Sequence, residues 1–250
     1  VELVHLGSLY HDDVMDEADM RRNVPSVNAV WGNHTAILAG DFLLARASEI
    51  AASLGTEIAG LLARTIGELC EGQILELQST YKPSRTEQSY EQSIAGKTAS
   101  LLSTACRIGG LTAGLERRTV DQLTTFGHTY GMAFQIVDDI LDVVASEDQL
   151  GKPAGNDLIE GVYTLPVLLA LESDVGEQLQ EILGKELSAD ERDRALSLIR
   201  STDAVEEAFT RAQFWAQKAK LELELLPSSP ATNALFAATN HLLDRAQSAG

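Results

Sequence analysis

Apolar side chains recur every three to four positions through almost the whole chain, and no stretch keeps the period-two alternation of a strand, so the pattern predicts helix throughout. Val1 to about Met20 reads as a first helix that must stop before Pro25, because the residue preceding a proline is pushed out of the α region. Asn28 or Asn33 can cap a second helix carrying Ile37, Leu38, Phe42, Leu43 and Leu44 as far as Leu54-Gly55. A third runs from Thr56 to about Thr80. Tyr81-Lys82-Pro83-Ser84-Arg85 is a loop by composition, and Thr86-Glu87 opens a helix to about Ile108, ended by Gly109-Gly110. The next, from about Arg117 to Ala145, is long and strongly apolar. After it, Ser146 to Asp157 is polar, rich in Gly and broken by Pro153, which reads as a loop of the kind that covers a site. From Tyr163 onward come further amphipathic helices, with breaks near Gly184 and Pro227 to Pro230.

No shift in composition marks a boundary, so the expectation is one all-α domain over residues 1–250, an antiparallel helix bundle. Val1 is not a natural start, and an N-terminal segment is expected upstream of it. Low aromatic content (5%) and six prolines agree with helix. Nineteen Lys plus Arg stand against 37 Asp plus Glu, a net charge of −18, and this excludes a general nucleic-acid role, which needs a basic footprint. Cys70 and Cys106 form neither a metal-binding spacing nor a disulfide framework and fit a reducing, cytoplasmic interior. No apolar run is long enough to span a membrane, and no signal peptide is expected.

One acidic pattern occurs twice in this apolar setting, as Asp12-Asp13-Val14-Met15-Asp16 and as Asp138-Asp139-Ile140-Leu141-Asp142. On a helix, carboxylates at i, i+1 and i+4 fall within about 100° of one face, so each copy crowds three like charges into one turn. The second copy lies among Phe134, Ile136, Val137, Ile140, Leu141, Val143 and Val144, which offer no cation. Buried carboxylates need a partner. Divalent ions holding a polyanionic ligand would supply it, and an oxygen-only set suits Mg²⁺, which takes few carboxylates and keeps phosphate oxygens and waters.

At these clusters and around them the chain closely resembles the trans-prenyltransferases, the polyprenyl diphosphate synthases. His11 to Asp16 followed by Arg21-Arg22-Asn23-Val24-Pro25 resembles that family's first aspartate-rich motif with its trailing Arg pair. Gly32-Asn33, Gly40-Asp41-Phe42-Leu43-Leu44, Gly72-Gln73, Lys97-Thr98-Ala99, Phe134-Gln135-Ile136-Val137-Asp138-Asp139 and Gly151-Lys152-Pro153 follow in the family's order, and the likeness extends to about Leu169. The resemblance implies a bundle around a central cavity, in which three Mg²⁺ ions grip the diphosphate of an allylic substrate such as geranyl, farnesyl or geranylgeranyl diphosphate. It makes Asp12, Asp16 and Asp138 direct metal ligands, with Asp13, Asp139 and Asp142 as ligands or as partners through metal-bound water. Lys97, Lys152 and Arg21 would contact the allylic diphosphate, and Arg22 and His5 isopentenyl diphosphate. Thr98 and Gln135 would line the reacting end. It also implies a homodimer, with transient membrane contact as the lipid product leaves.

Three departures stand out. Asn23 replaces a common Gly, Val162 stands where a Lys is frequent, and the family's N-terminal contacts to isopentenyl diphosphate would lie upstream of Val1. In this family bulky residues four or five places before the first cluster plug the tunnel that receives the growing chain. Here those places hold Ser8 and Gly7, with the modest Val4 deeper on the same helix, so a product longer than C20 is expected, roughly thirty to fifty carbons. A class I terpene cyclase is disfavoured, because its second metal site usually lacks the DDxxD repeat. A non-catalytic subunit of a heteromeric synthase typically loses one cluster, and both are intact. A di-iron bundle needs two ExxH motifs, and Glu2-Leu3-Val4-His5 is the sole one.

Overall fold

In a computed structural model, which describes residues 1–21, 24–145 and 154–249, the regular structure is helical apart from one pair of two-residue strands. It divides into two compact units, residues 1–67 and 68–250. No change of composition marks the division because it falls inside a continuous helix.

In the first unit, helix α1 (Glu2–Met15) ends earlier than its apolar pattern suggests. Asp16 closes the last turn, and Glu17 takes a positive φ of 50°, from which the chain enters strands β1 (Met20–Arg21) and β2 (Val24–Pro25), paired antiparallel. The caps also differ from expectation. Ser26 caps α2 (Val27–Trp31) by accepting from the Ala29 amide, and Gly32, at φ 82°, precedes α3 (Asn33–Ser53). Asn28 instead bonds the carbonyls of Asp13 and Ala18 at 3.1 and 3.0 Å, tying α2 to the end of α1. α1 and α3 run antiparallel and meet at glycines. A Cβ on Gly7 would lie 3.1 Å from the Gly40 carbonyl oxygen, and one on Gly40 would lie 2.4 Å from His11 Nε2. Helix α4 (Thr56–Ser79) follows.

The second unit is organised by α7 (Arg117–Val144), whose side chains are buried around most of its circumference. Between α5 (Glu87–Ile94) and α6 (Ser100–Thr112) lies a π-helical turn, Ala95–Ala99, and α6 passes through Gly109-Gly110 to end near Gly114, at φ 68°. α6 lies antiparallel to α7 and close to it, since Cβ atoms on Gly127 or Gly131 would come within 2.6 Å of Leu102 O and Ala99 Cα. Short helices α8 (Asn156–Ile159), α9 (Leu165–Leu171), α10 (Gly176–Ile182) and α11 (Ala189–Arg200) precede α12 (Ala204–Glu224) and α13 (Pro230–Ala249). The stripe Ala208, Ala212, Ala216 and Ala219 of α12 is fully buried, and α12 packs against α7 along its length. Small side chains at that spacing allow the close approach that seals Met132, Ile136 and Ile140 from water. Among the described residues no helix is long and apolar enough to cross a membrane.

Candidate active site

Both acid clusters sit at the C-terminal ends of their helices, Asp12 to Asp16 closing α1 and Asp138 to Asp142 near the end of α7. The peptide dipoles put negative potential there, and neither helix has a basic residue in its last turn. Carboxylates so placed favour added cations.

The three carboxylates of a cluster are not equivalent. In the first, Asp13 is buried, Asp12 is half-buried and Asp16 is exposed. Arg21 Nε and Nη2 both reach Asp13 Oδ1, at 2.7 and 2.5 Å. The residue expected on the allylic diphosphate thus holds Asp13 in this structure. In the second cluster Asp138 is exposed, while Asp139 and Asp142 are each 3% exposed. The Tyr90 hydroxyl donates to Asp139 Oδ2 at 2.5 Å, and Gln135 Nε2, one turn earlier on α7, donates to Oδ1 at 2.9 Å. Burial pushes the Asp139 carboxyl up to about 7 against the opposing pull of these two bonds, and the charges of Asp138 and Glu76 push the same way as burial. Burial beside Asp139 likewise raises the Tyr90 phenol far above its ordinary value. Asp142 accepts the Asp157 amide at 3.1 Å, its carbonyl accepts from Gly155 N at 2.8 Å, and Arg200 Nε donates to the Val143 carbonyl at 2.8 Å. The orphan carbonyls at the end of α7 are satisfied in this way, which fixes the turn that carries the cluster. Asp13 and Asp139, expected as ligands or as partners through metal-bound water, are thus each held by protein donors.

Lys97 and Thr98 lie on the π-helical turn, an irregularity that commonly marks working sites. Gly72 makes the turn possible, because a Cβ there would stand 2.4 Å from the Lys97 amide nitrogen and 2.8 Å from Ser93 O. That contact brings α4 against the turn and sets Glu76 beside Lys97, Nζ to Oε1 2.5 Å. Thr98 donates to Gln135 Oε1 at 2.6 Å. Thr98, Gln135, Asp139 and Tyr90 form one hydrogen-bonded chain. Arg85 stacks on Tyr90, 5.5 Å from guanidinium carbon to ring centroid, and donates to the Tyr163 carbonyl at 3.0 Å.

The sequence does bring Lys97, Thr98, Gln135 and Asp138–Asp142 together within one unit. It does not single out Tyr90, Glu76 or Arg85. The signal for Tyr90 is its place two helical turns before Lys97, and Glu76 lies one turn after Gly72, but neither spacing distinguishes itself from packing. His11 Nε2 lies 3.1 Å from the Ile37 carbonyl and 3.4 Å from Asp41, which places it between α1 and α3. His5 is partly exposed and 3.5 Å from Glu2. Gly7 is the meeting point of α1 and α3, so its missing side chain is already used in packing. Val4 is fully buried and Ser8 half-buried. Arg22 and Lys152, with Asn23, Gly151 and Pro153 and most of the expected covering loop, lie outside the described residues.

The donors that reach solvent here are carboxylate oxygens, which fit a hard divalent cation. Among the described residues no three His, Cys, Asp or Glu side chains form a cage by themselves. An ion bound by these aspartates would complete its shell with water and ligand oxygens, as Mg²⁺ prefers.

The family model for polyprenyl synthetase matches residues 1–199. Over 236 residues the chain is 42% identical to heptaprenyl diphosphate synthase component 2 of Geobacillus stearothermophilus, covering 94% of this chain and 74% of that one. Over 248 residues it is 41% identical to nonaprenyl diphosphate synthase of Mycobacterium tuberculosis, covering 98% and 74%. The crystal structure of a polyprenyl synthase from Caulobacter crescentus, in complex with calcium and isoprenyl diphosphate, matches with a TM-score of 0.91 at 32% identity over 97% of this chain and 75% of that one. Helical fold, ordered motifs and paired aspartate clusters agree with these matches, and the chain belongs to the polyprenyl synthetase family of prenyltransferases, whose members depend on divalent metal.

Proposed function

We propose that the protein condenses an allylic diphosphate with isopentenyl diphosphate, repeatedly, to give a trans-polyprenyl diphosphate longer than C20. The observation that carries this reading is the exposed Asp138 on a fixed helix end, beside a site that holds Lys97, Thr98 and Gln135 in one bonded assembly. Long-chain products named for the relatives support the same reading.

Asp12, Asp16 and Asp138 would hold Mg²⁺, three ions in all, and Lys97 and Lys152 would bind the allylic diphosphate. Divalent ions held by these aspartates would supply positive charge against the negative charge that gathers on the leaving diphosphate as the C–O bond ionises. Asp139, locked by Tyr90 and Gln135, keeps Asp138 in place. Lys97 moves from Glu76 to the diphosphate and supplies a point charge at its oxygens. Thr98 and Gln135 orient the reacting end, and the departing diphosphate accepts the proton lost after the double bond of isopentenyl diphosphate attacks. His5 and Arg22 bind isopentenyl diphosphate, and Arg21 divides its role between Asp13 and phosphate.

The reading of the first cluster as a chain-length gate rests on Ser8 and Val4, because a bulky residue at Gly7 would first drive α1 away from α3. Ser8→Phe is expected to shorten the product by at least one isoprene unit, seen by chromatography of the dephosphorylated lipids. An unchanged product distribution would remove Ser8 from the gate.

Exposed Trp31, Leu38 and Phe42 on the first unit support a second subunit covering them. A homodimer is the arrangement proposed, although the Geobacillus relative is named as one component of its enzyme. We place the reaction in the cytoplasm, with the apolar product passing to a membrane. The deciding experiment incubates the purified full-length protein alone with isopentenyl diphosphate, farnesyl diphosphate and Mg²⁺. Elongation past C20 is expected. A stop at fifteen or twenty carbons refutes the length, a cyclic hydrocarbon indicates a cyclase, and turnover only with an added partner indicates a heteromeric enzyme.

A further inference from the structure

Arg85 is buried and belongs to no step described so far, and Glu76, largely enclosed, enters only as the partner that Lys97 leaves. The Glu76 side chain is 14% exposed and ion-pairs with Lys97, itself 34% exposed. A carboxylate this enclosed cannot lose its cation without cost. Yet Lys97 must leave it if it is to reach a diphosphate.

Arg85 is 8% exposed and uses one nitrogen, Nη1, on the Tyr163 carbonyl. Among the described residues its Nε and Nη2 have no hydrogen-bond partner. These two N–H groups form the side-on edge of the guanidinium, the edge that fits a carboxylate with two parallel bonds. The carboxylates acting on this guanidinium through space are Glu76 and Asp139. Glu76 is the stronger of the two influences, and Asp139 is already held on both oxygens by Tyr90 and Gln135, so Glu76 is the carboxylate better placed to receive Arg85.

The geometry points to Arg85 as a positioning residue that takes over the Glu76 carboxylate when Lys97 moves from it to the substrate's diphosphate. The inference rests on the reading of Lys97 as a ligand of the allylic diphosphate. Two cations thus share one anion. In the resting site Lys97 neutralises Glu76 and Arg85 is underused; with substrate bound, Lys97 is on phosphate and Arg85 neutralises Glu76. Lys97 is thereby spared a choice between substrate and a stranded buried charge. Tyr90 holds the guanidinium plane in position for the exchange, because a ring face restrains the stem while leaving the N–H edge open.

The test uses the full-length protein with Mg²⁺ and an allylic thiodiphosphate, which binds without ionising, its Kd read by calorimetry alongside KM for each substrate. Arg85→Gln is expected to weaken the thiodiphosphate roughly tenfold, within the range for coupled members of one network, and to leave the KM for isopentenyl diphosphate unchanged. Glu76→Gln in the Arg85→Gln background is expected to restore Kd to within about twofold of Glu76→Gln alone, because Lys97 then has no carboxylate to abandon. Loss of folding cannot imitate that rescue. Should Arg85→Gln fail to fold, the double variant, which carries neither charge, is compared directly with Glu76→Gln, and a weaker Kd in the double variant overturns the exchange. So does an unchanged Kd in Arg85→Gln, or additivity of the two substitutions. Lys97→Ala separates the two levels of the argument: if it leaves Kd unchanged, the reading of Lys97 as a diphosphate ligand falls, whereas a weakened Kd there with an unaltered Arg85→Gln removes only the exchange.

Discussion

Replacing Tyr90 by Phe removes a single oxygen from a fully enclosed position and leaves the ring against Arg85 in place. Asp139 then loses the donor to Oδ2 and keeps only Gln135 on Oδ1. A hydrogen bond to a buried charged group contributes about 1.5–3 kcal/mol, a neutral one about 1 kcal/mol. The penalty therefore depends on which form of Asp139 is present. Burial raises its folded-state value from 3.8 to about 7, so folding favours the protonated form. The stability this confers is complete below about 4 and is lost as the pH rises through about 7. Removing a bond that favours the ionised form moves the folded value higher still, and extends the loss to more alkaline pH. Urea unfolding of the full-length protein with divalent ions chelated should show Tyr90→Phe costing about 1 kcal/mol at pH 5.5 and about 2 kcal/mol or more at pH 8.5. An equal penalty at both pH values, or a larger one in acid, would refute the account of Asp139 as a buried carboxylate held by two donors.

Three further outcomes follow from the same geometry. Asp138→Ala should cut turnover at least about a hundredfold, while changing stability by no more than about 0.5 kcal/mol because the side chain is exposed; an unfolded variant or one of near-normal activity would contradict its role. Gly72→Ala drives a methyl group onto the Lys97 amide and the Ser93 carbonyl, so a loss of about 1–3 kcal/mol in the melting curve and a raised KM for the allylic substrate are expected; neutrality would mean that α4 and the π-helical turn are not in contact. Burial pushes the Cys106 thiol up to about 11, leaving about one thiolate in a thousand at pH 8, whereas Cys70 is exposed. One fast and one denaturation-dependent thiol should appear with an aromatic disulfide reagent, and two fast thiols would be the contrary result.

The long helices were readable because α4 and α7 keep an unbroken 3.6-residue pattern over several turns. Their ends were not. α1 stops at Met15 although apolar spacing continues to Met20, since the stop is imposed by Glu17 and the paired strands Met20–Arg21 and Val24–Pro25. Gly109-Gly110 reads as a terminator, yet α6 runs through it, with Gly110 packed closely on Val120 of α7, whose Cγ2 would stand 3.1 Å from a Cβ there. Packing overrode propensity there. Asn28 reads as a cap and serves as a tie, because Ser26 two residues earlier already holds the α2 amide. In the site, the charged groups were legible as motif, whereas Tyr90, Glu76 and Arg85 act through contacts between segments far apart in sequence. No local spacing encodes such contacts.

Equal spacing of the aspartates hides an unequal division of work, and the reason lies in where each helix face meets its neighbours. A face about 100° wide is wide enough to straddle the edge of a core. In both copies the second aspartate falls inside that edge and is consumed by a protein donor, Arg21 for Asp13 and Tyr90 with Gln135 for Asp139. The first aspartate lies nearer to water in both. The copies part at the fifth position, where Asp16 lies beyond the end of α1 and is exposed while Asp142 is sealed against the Asp157 amide at the end of α7. Each cluster thus keeps its carboxylates close together at a helix end whose dipole adds to their repulsion. In each cluster the carboxylate that faces water, Asp16 after α1 and Asp138 on α7, is of the kind that a hard divalent cation bringing its own phosphate oxygens would suit.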